Sequence, residues 1–122
     1  MDHAPRFLAL VDATRARVPE LTIADFVAAP PPGALLVDVR EDQEWAAGHA
    51  AGAVHLGKGV IERDIERLVP NLDAPIVLYC GGGFRSLLAG AALKDMGYRS
   101  VWSLAGGWKA WVTAGLPVQG PA

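Results

Sequence analysis

Cys80 is the single cysteine of the chain and stands in Tyr-Cys-Gly-Gly-Gly-Phe-Arg-Ser, residues 79–86. An apolar run over 75–79 leads into it, and a helical pattern begins at Ser86. Gly81, Gly82 and Gly83 open backbone conformations closed to other residues and remove side chains that would crowd a ligand. Successive N–H groups of such a loop can turn inward as a nest for an anion. The start of the following helix adds its positive end, and Arg85 adds a planar cationic fork suited to oxyanions. Together these favour thiolate over thiol, so the stretch reads as a nucleophilic cysteine in an anion-binding cradle. A lone cysteine is more commonly a small inert core residue; here strand end, glycines, arginine and helix start coincide, which argues for the nucleophile.

Other residues around this loop have two readings each. Asp38 and Arg40 flank Val39 at the end of another apolar run. Arg40 could lend positive potential to the thiol, but a local ion-pair set of Asp38, Arg40 and Glu44 pinning the turn is the simpler reading. His49 could shuttle a proton; fixing a loop by hydrogen bonding is its commoner use. Lys58, in Gly-Lys-Gly, could attract an anion or simply be solvated. Phe84 could shield the sulfur or shape access to it. Ser86 reads as a helix cap, with a hydroxyl near the sulfur as the second reading. Trp45, Trp102, Trp108 and Trp111 read as core aromatics. His3 and His55 carry no signal, and three scattered histidines with one cysteine make no metal site.

The elements that must position Cys80 are legible in the periodicity. Phe7, Leu10, Val11, Thr14 and Val18 recur at helical spacing across 5–18, with Pro19 as a stop. Thr22 can cap a short helix, with Ile23 in a brief strand. Residues 30–33, Pro-Pro-Pro-Gly, mark a turn. Strands are expected over 34–39, 52–56, 75–79 and 99–104, and helices over 41–48, 60–69, 86–97 and 106–115. The 117–122 segment reads as a loose tail. Alternating strands and helices argue for an α/β layer fold with a mainly parallel sheet. Ligands of such sheets bind at the carboxyl ends of the strands, where Cys80 stands.

Composition bounds the rest. The 122 residues suffice for one domain with a real core. A formal charge of −2 and scattered basic residues exclude a nucleic-acid binder working by bulk electrostatics. One cysteine cannot form an internal disulfide, which fits a reducing compartment. The first residues are unlike a signal peptide, and no uncharged run is long enough to span a bilayer. A cytoplasmic domain without membrane or nucleic-acid partners is expected.

Cys-Gly-Gly-Gly-Phe-Arg-Ser at 80–86 resembles the active-site loop of rhodanese-like domains, the thiosulfate sulfurtransferase superfamily. Residues 35–56, with Asp-Val-Arg, Glu-Trp and Gly-His, and residues 104–111, Leu-Ala-Gly-Gly-Trp-Lys-Ala-Trp, resemble further segments of that family in the same order. The resemblance implies a three-layer rhodanese-like fold of about five strands flanked by helices over 21–116, with 1–20 as a helical extension. It implies a sulfurtransferase: Cys80 takes a sulfane sulfur from a small anionic donor such as thiosulfate, carries it as a persulfide held by the 81–86 loop, and yields it to cyanide or a thiol. No metal or organic cofactor is implied. The alternatives are a sulfur relay to a protein acceptor, which an exposed apolar patch beside Phe84 would favour, and a regulatory module. A cysteine phosphatase or arsenate reductase is a further one: Cys80 to Arg85 is C-x4-R, one residue shorter than the C-x5-R of cysteine phosphatases, and arsenate reduction would lack a second cysteine.

Overall fold

The structure is a computed structural model, and it describes residues 3–120. Its central strand is β5 (Ile76–Tyr79), whose four residues have no exposed surface. A continuous apolar run is what a strand covered on both faces requires. β5 lies between β6 (Val101–Leu104) and β2 (Leu35–Asp38), with β1 (Glu20–Leu21) beyond β6 and β4 (Val54–His55) beyond β2, all parallel. The expected mainly parallel five-stranded sheet is thus the one observed.

Alternation along β5 divides the core. Ile76, Leu78 and Cys80 face one layer with Val37, Ile61, Ile65, Leu93 and Val101. Val77 and Tyr79 face the other with Leu36, Leu104 and Trp111. The first layer is covered by α4 (Ile61–Leu68) and α5 (Arg85–Asp95), and the second carries α6 (Gly107–Thr113). Each fully buried Ile, Leu or Val contributes on the order of 1.5–3 kcal/mol. The helix α1 (Pro5–Arg15) packs on α5 through Val11, which with Val18 meets Leu87 and Ala91. Gly90 makes this approach possible, because a Cβ there would stand 2.8 Å from a Val18 methyl.

Three local expectations are corrected. Ile23 lies in α2 (Ile23–Ala28), capped by Thr22, and the brief strand falls before it at β1, where Ser103 N–H donates to the Pro19 carbonyl at 3.0 Å. The expected helix over 41–48 is the single turn α3 (Asp42–Ala46), and the chain enters the short strand β3 (His49–Ala50) directly after Gly48. Residues 117–120 are not loose: β7 (Val118–Gln119) pairs antiparallel with β3. The Pro117 carbonyl accepts from Trp111 Nε1–H at 2.8 Å and Ala51 N–H at 3.0 Å. A two-residue strand has no periodicity to read, so local sequence does not reveal it. Pro121 and Ala122, the rest of the expected tail, lie outside the described residues.

Candidate active site

Cys80 directly follows β5, at the carboxyl edge of the sheet, with 1% of its surface exposed. The loop of Gly81, Gly82, Gly83 and Phe84 then turns into α5. Gly83, at φ +103°, brings its N–H to 3.1 Å from Cys80 Sγ. Among the described residues it is the one backbone N–H that bonds the sulfur. Ser86 is in the first turn of α5 rather than at its cap, a position taken by Phe84. The buried Ser86 hydroxyl lies 3.5 Å from Sγ and 2.7 Å from the Ser103 hydroxyl. A polar chain from β6 therefore ends on the thiol.

Behind the loop, Gly106 and Gly107 form a tight left-handed turn at φ +78° and +51°. Trp108 N–H donates to the Cys80 carbonyl at 2.7 Å and Lys109 N–H to that of Gly81 at 3.2 Å. A Cβ on Gly107 would lie 2.2 Å from the Cys80 carbonyl oxygen, so α6 can brace the cysteine only where residue 107 lacks a side chain. Sequence reasoning gave Gly107 no role, although the Gly-Gly pair at a strand-to-helix turn was the available signal.

In front of the loop is a cavity of about 520 Å³ lined by His3, Phe7, Glu44, Cys80, Gly81, Gly82, Phe84, Arg85 and Lys109. Arg85 grips Glu44 with two hydrogen bonds, 2.8 and 3.1 Å. This pairing holds the Glu44 carboxyl down to about 2 and the guanidinium above its ordinary value. Gly81 lies beneath the pair; a Cβ there would stand 3.1 Å from Arg85 Nη2. Arg85 is therefore at the cradle, as its spacing from Cys80 implies, but its charge is matched by a carboxylate that sequence reasoning placed with Asp38 and Arg40.

Asp38 and Arg40 are both buried and pair with each other. Arg40 Nε donates to both Asp38 oxygens at 3.1 Å, and Nη2 donates to Asp38 Oδ2 at 2.8 Å and to the Gly48 carbonyl at 2.6 Å. The guanidinium also lies 4.7 Å from the Trp108 ring centre. Burial alone would lower its pKa; hydrogen bonds and charge from Asp38 outweigh that and raise it. Neither residue lines the cavity, so the local ion-pair reading describes them. His49 stacks flat on Trp45, ring centres 3.4 Å apart, with Nδ1 3.1 Å from the Trp45 carbonyl oxygen. Lys58 is exposed. Both also lie outside the cavity lining.

His3, Phe7 and Lys109 are the lining residues to which sequence reasoning gave no part in the site, and Glu44 is the one it assigned elsewhere. Phe7 carried only helical spacing, and His3 carried nothing. Phe84 is half-buried: the His3 ring lies edge-on 4.9 Å away and the Phe7 ring at 6.2 Å. Among the described residues no cluster of His, Cys, Asp or Glu could hold a metal ion, and no helix is long and apolar enough to cross a membrane.

A buried thiol on a glycine loop, at the carboxyl edge of a parallel sheet and beside a walled cavity, stands where α/β domains of this kind bind their ligands. A family model described as "Rhodanese-like domain" matches residues 24–114, and the chain belongs to that family. It is 35% identical over 87 residues to a protein named thiosulfate sulfurtransferase GlpE from Haemophilus influenzae, an alignment covering 71% of this chain and 81% of that one. Identity to the protein of the same name from Pseudomonas fluorescens is 40% over 81 residues, 66% of this chain and 72% of the other. Among solved structures, a Rhodopseudomonas palustris protein of unknown function, titled a possible tyrosine phosphatase, superposes with a TM-score of 0.83 at 28% identity. That match covers 98% of this chain and 99% of the other.

Proposed function

We propose that the protein is a thiosulfate sulfurtransferase in which Cys80 carries the transferred sulfur. The single observation that carries this reading is the placement of Cys80 Sγ under the Gly83 N–H, beside the Ser86 hydroxyl, facing the cavity. The two relatives named as thiosulfate sulfurtransferases support the choice of reaction.

In the first half-reaction the Cys80 thiolate attacks the sulfane sulfur of thiosulfate. The new bond joins Sγ to that sulfur, the S–S bond of the donor breaks, and its electron pair leaves with sulfite. The persulfide is an anion, and the N–H groups of the 81–85 loop with the start of α5 would stabilise its outer sulfur. A cyanide or thiolate acceptor then attacks the outer sulfur and returns the Cys80 thiolate. Two such half-reactions give ping-pong kinetics, with no metal or organic cofactor required. The packing of the His3 and Phe7 rings beside Phe84, at the wall of the cavity, favours a small-molecule acceptor over a protein docked on that ring.

The phosphatase reading suggested by the Rhodopseudomonas protein fits less well. The C-x4-R loop is one residue short of a phosphate cradle, and Glu44 places a carboxylate where phosphate oxygens would need the Arg85 fork. Cys80→Ser should abolish thiosulfate:cyanide transfer without changing the melting temperature by more than a few degrees. Mass spectrometry of the wild-type protein after thiosulfate should find one added sulfur on the Cys80 peptide. Turnover by the serine variant, or hydrolysis of an aryl phosphate without sulfur loading, would overturn the assignment.

A further inference from the structure

The cavity before Cys80 is larger than the chemistry of a sulfur atom and cyanide requires. Its volume of about 520 Å³ falls within the roughly 300–1,000 Å³ typical of sites that enclose a whole small molecule. One wall is aromatic. The rings of His3, Phe7 and Phe84 form a mutual cluster, with centre-to-centre distances of 5.3 Å for His3–Phe7, 4.9 Å for His3–Phe84 and 6.2 Å for Phe7–Phe84. Two of the three come from the first helix and the residues just before it, outside the 24–114 span of the family match. The wall is therefore an addition to the family domain.

It is also firmly mounted. Val11 is fully buried against α5, and the Thr14 hydroxyl donates to the Val11 carbonyl at 2.7 Å. Arg17 pairs with Asp95 at the far end of α5, and Arg15 with Glu20 at 3.0 Å. With its carboxyl-terminal half fixed in this way, the helix extends its first turn over the glycine loop.

The charges of the cavity are unequal in availability. Glu44 and Arg85 neutralise each other. Lys109 lines the same cavity, is exposed, and has no carboxylate partner among the described residues. The lining thus combines flat apolar faces, one available ammonium group and a sulfur nucleophile.

We infer that His3, Phe7 and Phe84 form a specificity wall selecting, as sulfur acceptor, a small thiol with a flat apolar body and an anionic group, the anion received by Lys109. This rests on the sulfurtransfer reading above and extends it to the acceptor class. The step balances without further reagents: the acceptor thiolate attacks the outer persulfide sulfur and forms a new S–S bond. The bond from that sulfur to Cys80 Sγ breaks, and its electron pair leaves as the Cys80 thiolate. The product is the acceptor's persulfide anion.

The test loads the full-length protein with thiosulfate, removes excess donor, and follows single-turnover discharge of the Cys80 persulfide. The acceptors are 4-(mercaptomethyl)benzoate, phenylmethanethiol and 2-mercaptoethanol. Wild type should discharge to the aromatic thiols faster than to 2-mercaptoethanol by about tenfold in second-order rate constant. Phe7→Ala should shrink that ratio several-fold, and His3→Ala, at an exposed position that leaves the core untouched, should shift it the same way. Lys109→Gln should reduce the preference for the carboxylate-bearing thiol over phenylmethanethiol. An aromatic-to-small ratio unchanged in His3→Ala and in Phe7→Ala would overturn the proposal while persulfide loading leaves the parent reading standing. Failure of thiosulfate to load Cys80 at all would sink both.

Discussion

Arg40 and Arg85 each stand close after the end of a neighbouring parallel strand, and each holds a carboxylate through two or more hydrogen bonds. Their surroundings differ. The Arg40–Asp38 side chains are 4% and 0% exposed, with Trp108 and Tyr79 rings beside the guanidinium. The Arg85–Glu44 side chains are 33% and 32% exposed and line the cavity. A buried pair is rigid and costly to break, because each partner leaves the other charged and desolvated. A half-exposed pair is weak, so its geometry can serve an incoming anion. One arginine is thus built into the sheet edge, and the other stands at the cavity.

Breaking the buried pair should have the largest effect on the fold. Arg40→Met leaves Asp38 charged without its guanidinium partner, and a loss of roughly 3–5 kcal/mol is expected. Chemical denaturation would read this as a large fall in midpoint. A variant with wild-type stability but lost sulfur transfer would reverse the assignment and place Arg40 in the reaction.

The same substitution at Arg85 should divide its effects the other way. Stability should change by less than about 1 kcal/mol. The value of kcat/KM for thiosulfate should fall roughly tenfold, a size consistent with losing one charge-assisted contact to an anion. Equal losses of stability at the two arginines would erase the distinction.

Spacing decides how far these two pairs can be read from sequence. Asp38 and Arg40 are two residues apart, and their pairing is a local expectation that the structure matches. Glu44 and Arg85 are 41 apart, and nothing near Glu44 points to the loop; its capping-box bond to the Glu41 N–H, 2.9 Å, shows why it also fitted a local role. The strand into Cys80, the glycine turn and the helix after it were legible for a similar reason, since all of that information lies within residues 75–97. The aromatic wall was not, because Phe7 and Phe84 meet only through the docking of α1 on α5. The same holds for β7, whose partner β3 is distant in sequence.

Glu44→Gln gives the smallest effect and the most selective one. Glutamine keeps an oxygen for the Glu41 N–H while removing the charge that neutralises Arg85, so KM for the thiosulfate dianion should fall a few-fold, about what one screened unit charge contributes. The stability difference from wild type should depend on pH. The Glu44 carboxyl sits at about 2 in the folded protein against an ordinary 4.5. Between those values the unfolded chain binds more protons at this group, so its contribution is complete above 4.5 and disappears as pH falls through 2. The difference in stability between wild type and variant, measured by denaturation at a series of pH values, should therefore narrow across that acid window. A difference that stays constant down to pH 2 would mean that Glu44 acts through packing, and that the pair at the cavity is structural like the one at Arg40.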